Sequence, residues 1–164
     1  MRQAAGRACF GQEEAAELGI SPRTELQRDR SVEGEVLGSI GPGLLILLGV
    51  GQSDSPLEGR RLADKIAHLR VFDGKDGRMD RSLLDLGEAA AALCISQFTL
   101  YGDVRRGLRP SFTEAADPAL AEELYEGFCA ELQGQGLRVV RGRFGARMSV
   151  ALRNEGPVTL LVEV

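Results

Sequence analysis

The chain has 164 residues, of which 43% are hydrophobic, enough to close one sizeable core and too few for two ordinary domains. Its formal charge of −4 and pI near 5.2 argue against a protein that grips long stretches of nucleic acid by phosphate neutralisation alone, which needs a broadly basic surface. Cys9, Cys94 and Cys129 are odd in number, widely spaced and without a C-x-x-C pair, so neither a disulfide framework nor a zinc knuckle is indicated and a reducing cytosol fits best. No apolar run approaches the roughly 18 residues needed to span a bilayer. Glu13, Glu14 and Glu17 also break any signal or transit pattern, so a cytoplasmic protein with no membrane partner is expected.

Residues 1–33 are polar, mixed in charge and without a sustained period, and are read as a divergent or extended N-terminal segment. Residues 34–164 carry regular patterns and are read as the functional domain. Glu35 to Ile40 reads as a short strand, Gly41-Pro42-Gly43 as a turn, and Leu44 to Val50 as a strand buried on both faces at the centre of a sheet. Ser55-Pro56-Leu57-Glu58 combines an N-cap serine, a proline at the first helical position and a glutamate three residues after the cap, which predicts a helix start. Leu62, Ala63, Ile66 and Leu69 form its core-facing stripe, with Arg60, Arg61 and Lys65 in water.

Asp73-Gly74 and Asp76-Gly77 mark turns. Ala89 to Ile95 is a second apolar run that delivers the polar cluster Ser96-Gln97 at its end. Asp117-Pro118 opens another helix, whose stripe Leu120, Leu124, Phe128 and Leu132 runs to a stop at Gly134. Met148 to Leu152 alternates, Asn154-Glu155-Gly156-Pro157 reads as a turn, and Val158 to Val164 resumes, which together predict a closing β-hairpin.

The chemistry is narrowed by what is scarce. His68 is the single histidine and falls inside the first predicted helix, so a Ser-His-Asp triad is not available and a helix-surface or packing role is the expectation. One histidine and scattered cysteines do not assemble a zinc site. The carboxylates lack ligand-like spacing, and no phosphate-cradling glycine loop follows a strand. Two polar clusters at strand ends remain, Ser96-Gln97-Phe98-Thr99 and Asn154 to Thr159.

Ser96-Gln97-Phe98-Thr99-Leu100-Tyr101 resembles the first signature of the D-aminoacyl-tRNA deacylases, and Asn154-Glu155-Gly156-Pro157-Val158-Thr159 resembles their second, N-x-G-P-x-T. Gly41 to Leu45, Leu69 to Phe72, Arg109 to Phe112 and Gly142 to Ala146 are similar to family segments in the same order. The resemblance implies a compact α/β domain of β-sheets with two main helices, paired as a two-fold homodimer with active sites at the interface. It implies an editing hydrolase that needs no cofactor or metal and cleaves the ester of D-aminoacyl-tRNA, with glycine mischarged on tRNA for alanine as a further substrate.

The family's Gly-Pro carries a cis peptide bond and enters the partner's pocket. Here that role falls on Gly156 and Pro157, with L-amino acids rejected by backbone crowding. Ser96, Gln97, Phe98 and Thr99 become the catalytic cluster, in which backbone N–H groups form an oxyanion hole and the substrate's 2′-hydroxyl assists water. Phe144 and Met148 match positions lining the terminal adenosine pocket, and Asn154 and Thr159 complete the binding set. Two arginine groups, Arg105, Arg106 and Arg109, and Arg138, Arg141, Arg143 and Arg147, are candidates for acceptor-stem phosphates. The family's early Gln-Arg strand has only Leu26-Gln27-Arg28 as its counterpart, which leaves Arg28 as the stand-in for the arginine that braces the Gly-Pro loop. Two further readings stand beside this one: a non-catalytic module that binds the tRNA 3′ end, motivated by the missing brace, and a related deacylase of relaxed chirality.

Overall fold

The computed structural model describes residues 7–20 and 36–164. Leu26, Gln27, Arg28 and the boundary drawn between residues 33 and 34 lie outside the described residues. Within the N-terminal stretch, Arg7–Ile20 forms a strand, β1, that no sequence period announces.

Two further strands, β2 (Val36–Ile40) and β3 (Gly43–Gly49), run antiparallel along one edge of β1. They share a single register, with Glu13 opposite Gly43 and Ala16 opposite Ile40. Gly41-Pro42 is therefore a bend within one long run and not the reversal that its turn signal predicts. Proline has no N–H to donate, so pairing lapses for two residues and then resumes on the same edge. The ladder continues from β3 in parallel to β6 (Ala91–Ser96) and from β6 in parallel to β7 (Arg138–Arg141).

The other edge of β1 is taken by β8, Met148–Glu163. This corrects the predicted hairpin. Met148 lies opposite Ile20 and Glu163 opposite Arg7, so one strand runs the length of β1. The register slips between Gly11, opposite Thr159, and Glu13, opposite Asn154. Asn-Glu-Gly-Pro are turn formers, and here they bulge out of a strand without reversing it.

On one face of the sheet lie α1 (Pro56–His68) and α3 (Pro118–Gly134). The capping box at Ser55 forms as the sequence predicts, with the Ser55 N–H donating to Glu58 Oε2 at 3.1 Å. Asp117 Oδ1 accepts from the N–H groups of Ala119 and Leu120 at 3.0 and 3.2 Å. Leu62, Ala63 and Ile66 of α1 and Tyr125, Phe128 and Leu132 of α3 are buried with Leu44, Ile46 and Leu48 of β3, while Leu124 is buried with Val50 and Ala121. Each large side chain so buried contributes on the order of 1.5–3 kcal/mol.

The alternate residue Leu45 meets Ile40, Leu93 and Ile95 on the opposite face, where Leu37, Met148 and Val150 cover it. Burial of β3 on both faces explains its unbroken apolar run. A small hairpin of β4 (Phe72–Asp73) and β5 (Met79–Arg81) spans the two Asp-Gly turns and leads to a short helix, α2 (Leu83–Leu86). His68 ends α1 on the surface, its Nδ1 2.9 Å from the Asp64 carbonyl. Cys94 and Cys129 are fully buried and behave as small core residues.

Candidate active site

Parallel β3 and β6 end side by side, with Leu48 opposite Ser96. The Gln97 N–H still donates to the Leu48 carbonyl at 2.7 Å. The chain then leaves the sheet in a 3-10 turn, Phe98–Tyr101. The first bond of that turn runs from the Leu100 N–H to the Gln97 carbonyl at 3.2 Å. Phe98 and Thr99 thus supply the leading N–H groups of a helical turn, which have no partner inside it. No side chain caps them, and among the described residues neither N–H finds an acceptor. Two adjacent donors stand at the end of a buried strand.

Beside them opens a cavity of about 600 Å³ lined by Ser96, Gln97 and Phe98, by Phe112 and Ala115, and by Phe144, Arg147 and Met148. That volume suits a nucleoside-sized ligand. Phe98 and Phe112 meet edge to face, with centroids 5.0 Å apart and planes at 69°, a favoured aromatic geometry. The segment carrying Phe112 is tied to the end of β3 by the Ala116 N–H, which donates to the Val50 carbonyl at 3.0 Å.

Met148 is the first residue of β8, and Phe144 lies on the connection between β7 and β8. Gly145 takes φ 68 there, a left-handed backbone that glycine adopts without strain. Phe144 packs against the core and also faces the cavity.

The Thr99 hydroxyl accepts a hydrogen bond from Gln97 Nε2. Among the described residues it has no carboxylate or imidazole partner that would take its proton. A carboxamide donor is not a base, so the side chain is not primed as a nucleophile. Tyr125, which the sequence reading did not single out, sits behind the cavity. It is fully buried, donates to the Cys94 carbonyl at 2.8 Å, and packs against Phe144 with centroids 6.2 Å apart. Burial pushes its phenol pKa up, so the group remains a donor at any working pH. Its spacing from Ala121, Phe128 and Leu132 is helical, and that was the signal available in the sequence.

Asn154 and Thr159 are brought together, but not in this cavity. Both are exposed on β8 and are joined by a bond from Asn154 Nδ2 to Thr159 Oγ1 of 3.1 Å. Gly156 and Pro157 belong to the bulge between them. Ser96, Gln97 and Phe98 of the first signature and the adenosine-pocket pair therefore share one cavity, which Thr99 does not line, and the second signature stands apart on an edge strand.

The arginine groups divide. Arg105 is held by Asp103 in a two-point pair at 2.8 and 2.7 Å, and the guanidinium holds the Asp103 carboxyl far below the usual carboxylate range. Arg141 is held by Glu126 and Gln133, while Arg147 faces the cavity. Among the described residues no group of three or more His, Cys, Asp or Glu is placed to hold a metal ion, and no helix is long and apolar enough to cross a membrane.

The family model described as D-Tyr-tRNA(Tyr) deacylase matches residues 27–163. A D-aminoacyl-tRNA deacylase of Roseiflexus castenholzii is 56% identical over 133 residues, covering 81% of this chain and 83% of that protein. The same-named protein of Exiguobacterium sibiricum is 53% identical over 145 residues, covering 86% and 99%. A solved structure titled "c-Myc DNA Unwinding Element Binding Protein" superposes with a TM-score of 0.82 at 31% identity, covering 96% of this chain and 98% of that one. The fold alone is shared with a structure titled as that of "a probable eukaryotic D-amino acid tRNA deacylase", with a TM-score of 0.76 at 18% identity, covering 98% and 100%. With both signatures in order, the matched α/β architecture and a relative more than half identical along most of its length, the chain belongs to the D-Tyr-tRNA deacylase family of hydrolases.

Proposed function

We propose that this protein hydrolyses the ester that joins a D-amino acid to the 3′ end of tRNA, and that it does so as a homodimer. The observation that carries the reading is the cavity lined by Ser96, Gln97, Phe98, Phe144 and Met148, at whose edge the turn begins with the Phe98 and Thr99 N–H groups, for which no acceptor is found among the described residues. Terminal adenosine would stack on Phe144, since aromatic stacking grips a base regardless of sequence. The ester carbonyl would then lie against the Phe98 and Thr99 N–H groups, which stabilise the oxyanion as the carbonyl is attacked. The 2′-hydroxyl of the same ribose is the group that assists the attacking water, since among the described residues the Thr99 side chain has no base beside it. Ser96 and Gln97 orient the ribose and ester.

Selection against L-amino acids is assigned to Gly156-Pro157 in a cis linkage, the one kind of peptide bond for which cis costs about 1 kcal/mol or less. A carbonyl held against the substrate Cα leaves room for hydrogen and none for carbon, so an L side chain clashes while a D side chain points elsewhere. Glycine carries no side chain to exclude, so glycine mischarged on tRNA for alanine is a further substrate. The bulge lies on β8, whose Leu152, Leu160 and Leu161 are 47%, 41% and 59% exposed, and which pairs only with β1 among the described residues. An edge strand with exposed leucines supports a second copy there, and that copy would bring its own Gly-Pro loop to the cavity.

Incubation with D-Tyr-tRNA and L-Tyr-tRNA tests the reading. Release of tyrosine from the D ester alone is expected. An untouched D ester at micromolar protein favours a module that only binds the tRNA end, and equal cleavage of both favours a deacylase of relaxed chirality.

A further inference from the structure

The β6–β7 ladder stops at Cys94 opposite Arg141, while β6 stays paired with β3 as far as Ser96. The next residue, Gly142, is held by one junction. Its N–H donates to the Cys94 carbonyl at 2.8 Å. The Tyr125 hydroxyl donates to that same carbonyl at 2.8 Å and stands 3.3 Å from the Gly142 carbonyl. Two residues beyond Gly142 comes Phe144, whose ring tilts at 44° against the Tyr125 ring. Two residues beyond Cys94 comes Ser96, and both Ser96 and Phe144 line the cavity.

From this geometry we infer that Tyr125 is a positioning residue, fixing the 142–147 segment, and with it the Phe144 ring, against the end of β6. The inference rests on the proposed seating of the terminal adenosine on Phe144. Ser96, Gln97 and Phe98 keep their places through β3 if the tyrosine hydroxyl is lost. The wall made by Phe144 has no second strand behind it beyond Cys94. Tyr125 thus governs the grip on the nucleoside and leaves the chemistry at the ester to the other wall.

Tyr125→Phe keeps the ring and removes the bond. It is expected to raise KM for D-Tyr-tRNA and the dissociation constant of adenosine 5′-monophosphate by the same factor, about five- to tenfold, as for one net hydrogen bond. The value of kcat should stay within about twofold, since uniform binding is what is lost. Phe144→Leu alone should raise KM, and Tyr125→Phe added to it should raise KM little more, because both act through one wall.

A second measurement needs no substitution. Tyr101 and Tyr125 are the two tyrosines of the chain, so fluorotyrosine incorporation gives two fluorine signals. Adenosine 5′-monophosphate should shift that of Tyr125. A folded Tyr125→Phe enzyme with unchanged KM, a fall confined to kcat, strict additivity with Phe144→Leu, or an unmoved Tyr125 signal on a protein that binds the nucleotide each overturns the inference. A wild-type protein that cleaves D-Tyr-tRNA but does not bind the nucleotide overturns the adenosine reading first, and the role of Tyr125 with it.

Discussion

The side-chain amide of Asn154 bonds to the Thr159 hydroxyl at 3.1 Å, and these residues stand opposite Glu13 and Gly11 of β1. β8 therefore places four residues, 155–158, where β1 places one, and the Asn154–Thr159 bond closes the base of the resulting bulge. Two of the motif's side chains are thereby explained as fasteners of the loop. Thr159→Val removes the acceptor at nearly constant shape. The bond is exposed, so the loss of stability should not exceed about 1 kcal/mol. Loosening the loop should cost discrimination more than rate. Cleavage of L-Tyr-tRNA is expected to rise relative to D-Tyr-tRNA, by up to about fivefold for a constraint of about 1 kcal/mol. An unchanged D/L ratio in a folded Thr159→Val protein would show that the bond does not shape the filter.

Elements that announce themselves locally were legible in the sequence. The capping box at Ser55 and the proline at Pro56 fixed the start of α1, and Asp117-Pro118 fixed that of α3, because these signals act within one turn of chain. Continuous burial wrote β3 and β6 as apolar runs. What misled were residues whose local preference is overruled by a distant partner. Gly41-Pro42 and Gly156-Pro157 are turn formers by propensity, yet β1 holds both flanks of each in line. The site divided in the same way. Ser96 and Phe144 are linked to known motifs by their neighbours, but Tyr125 gains its role from the Cys94 and Gly142 carbonyls, 31 and 17 residues away, which no local pattern records.

The bond from Gln97 to the Thr99 hydroxyl bears on mechanism. If Thr99 were the nucleophile, Thr99→Ala would abolish turnover and a substrate ending in 2′-deoxyadenosine would react normally. Among the described residues the Phe98 and Thr99 N–H groups have no acceptor and the Thr99 hydroxyl has no base beside it, which leads to the reverse expectation. Thr99→Ala should keep kcat within about tenfold, since it loses one neutral hydrogen bond. The deoxy ester should be nearly inert while still binding. Single-turnover rates with both substrates decide between the schemes.

Two capping boxes make the fold acid-sensitive in a defined window. The Glu58 carboxylate is held below its ordinary range chiefly by the Ser55 hydroxyl, and that of Asp85 chiefly by the Ser82 N–H. Their folded pKa values are depressed, so their contribution is present above the unfolded values near 4 and is lost as pH falls through the folded ones. The thermal midpoint should therefore fall as pH drops from about 5 toward 3. Glu58→Gln and Asp85→Asn should each flatten part of that slope and leave the midpoint at neutral pH little lower. A slope identical to wild type in the double variant would assign the acid sensitivity to other groups.

The last prediction concerns which chain's Gly-Pro loop serves which cavity. The cavity ends β6 and is lined by residues from four segments of one chain, none of them from β8 beyond Val150. The Asn154–Thr159 bulge lies farther along that strand, on the edge that shows Leu152, Leu160 and Leu161. A filter that works only across a dimer makes fidelity and association one property. Gly156→Val should block close approach of the backbone to substrate, lowering D-ester cleavage with the fold intact. A Gln97→Ala variant disables the other half of the site. Mixed dimers of the two should recover activity, because one of their two sites then draws an intact loop from one chain and an intact cluster from the other. Statistical mixing makes half of the molecules mixed dimers with one working site each, so about a quarter of wild-type activity is expected. Inactive mixed dimers, verified by differential tags, would show that each loop serves its own subunit.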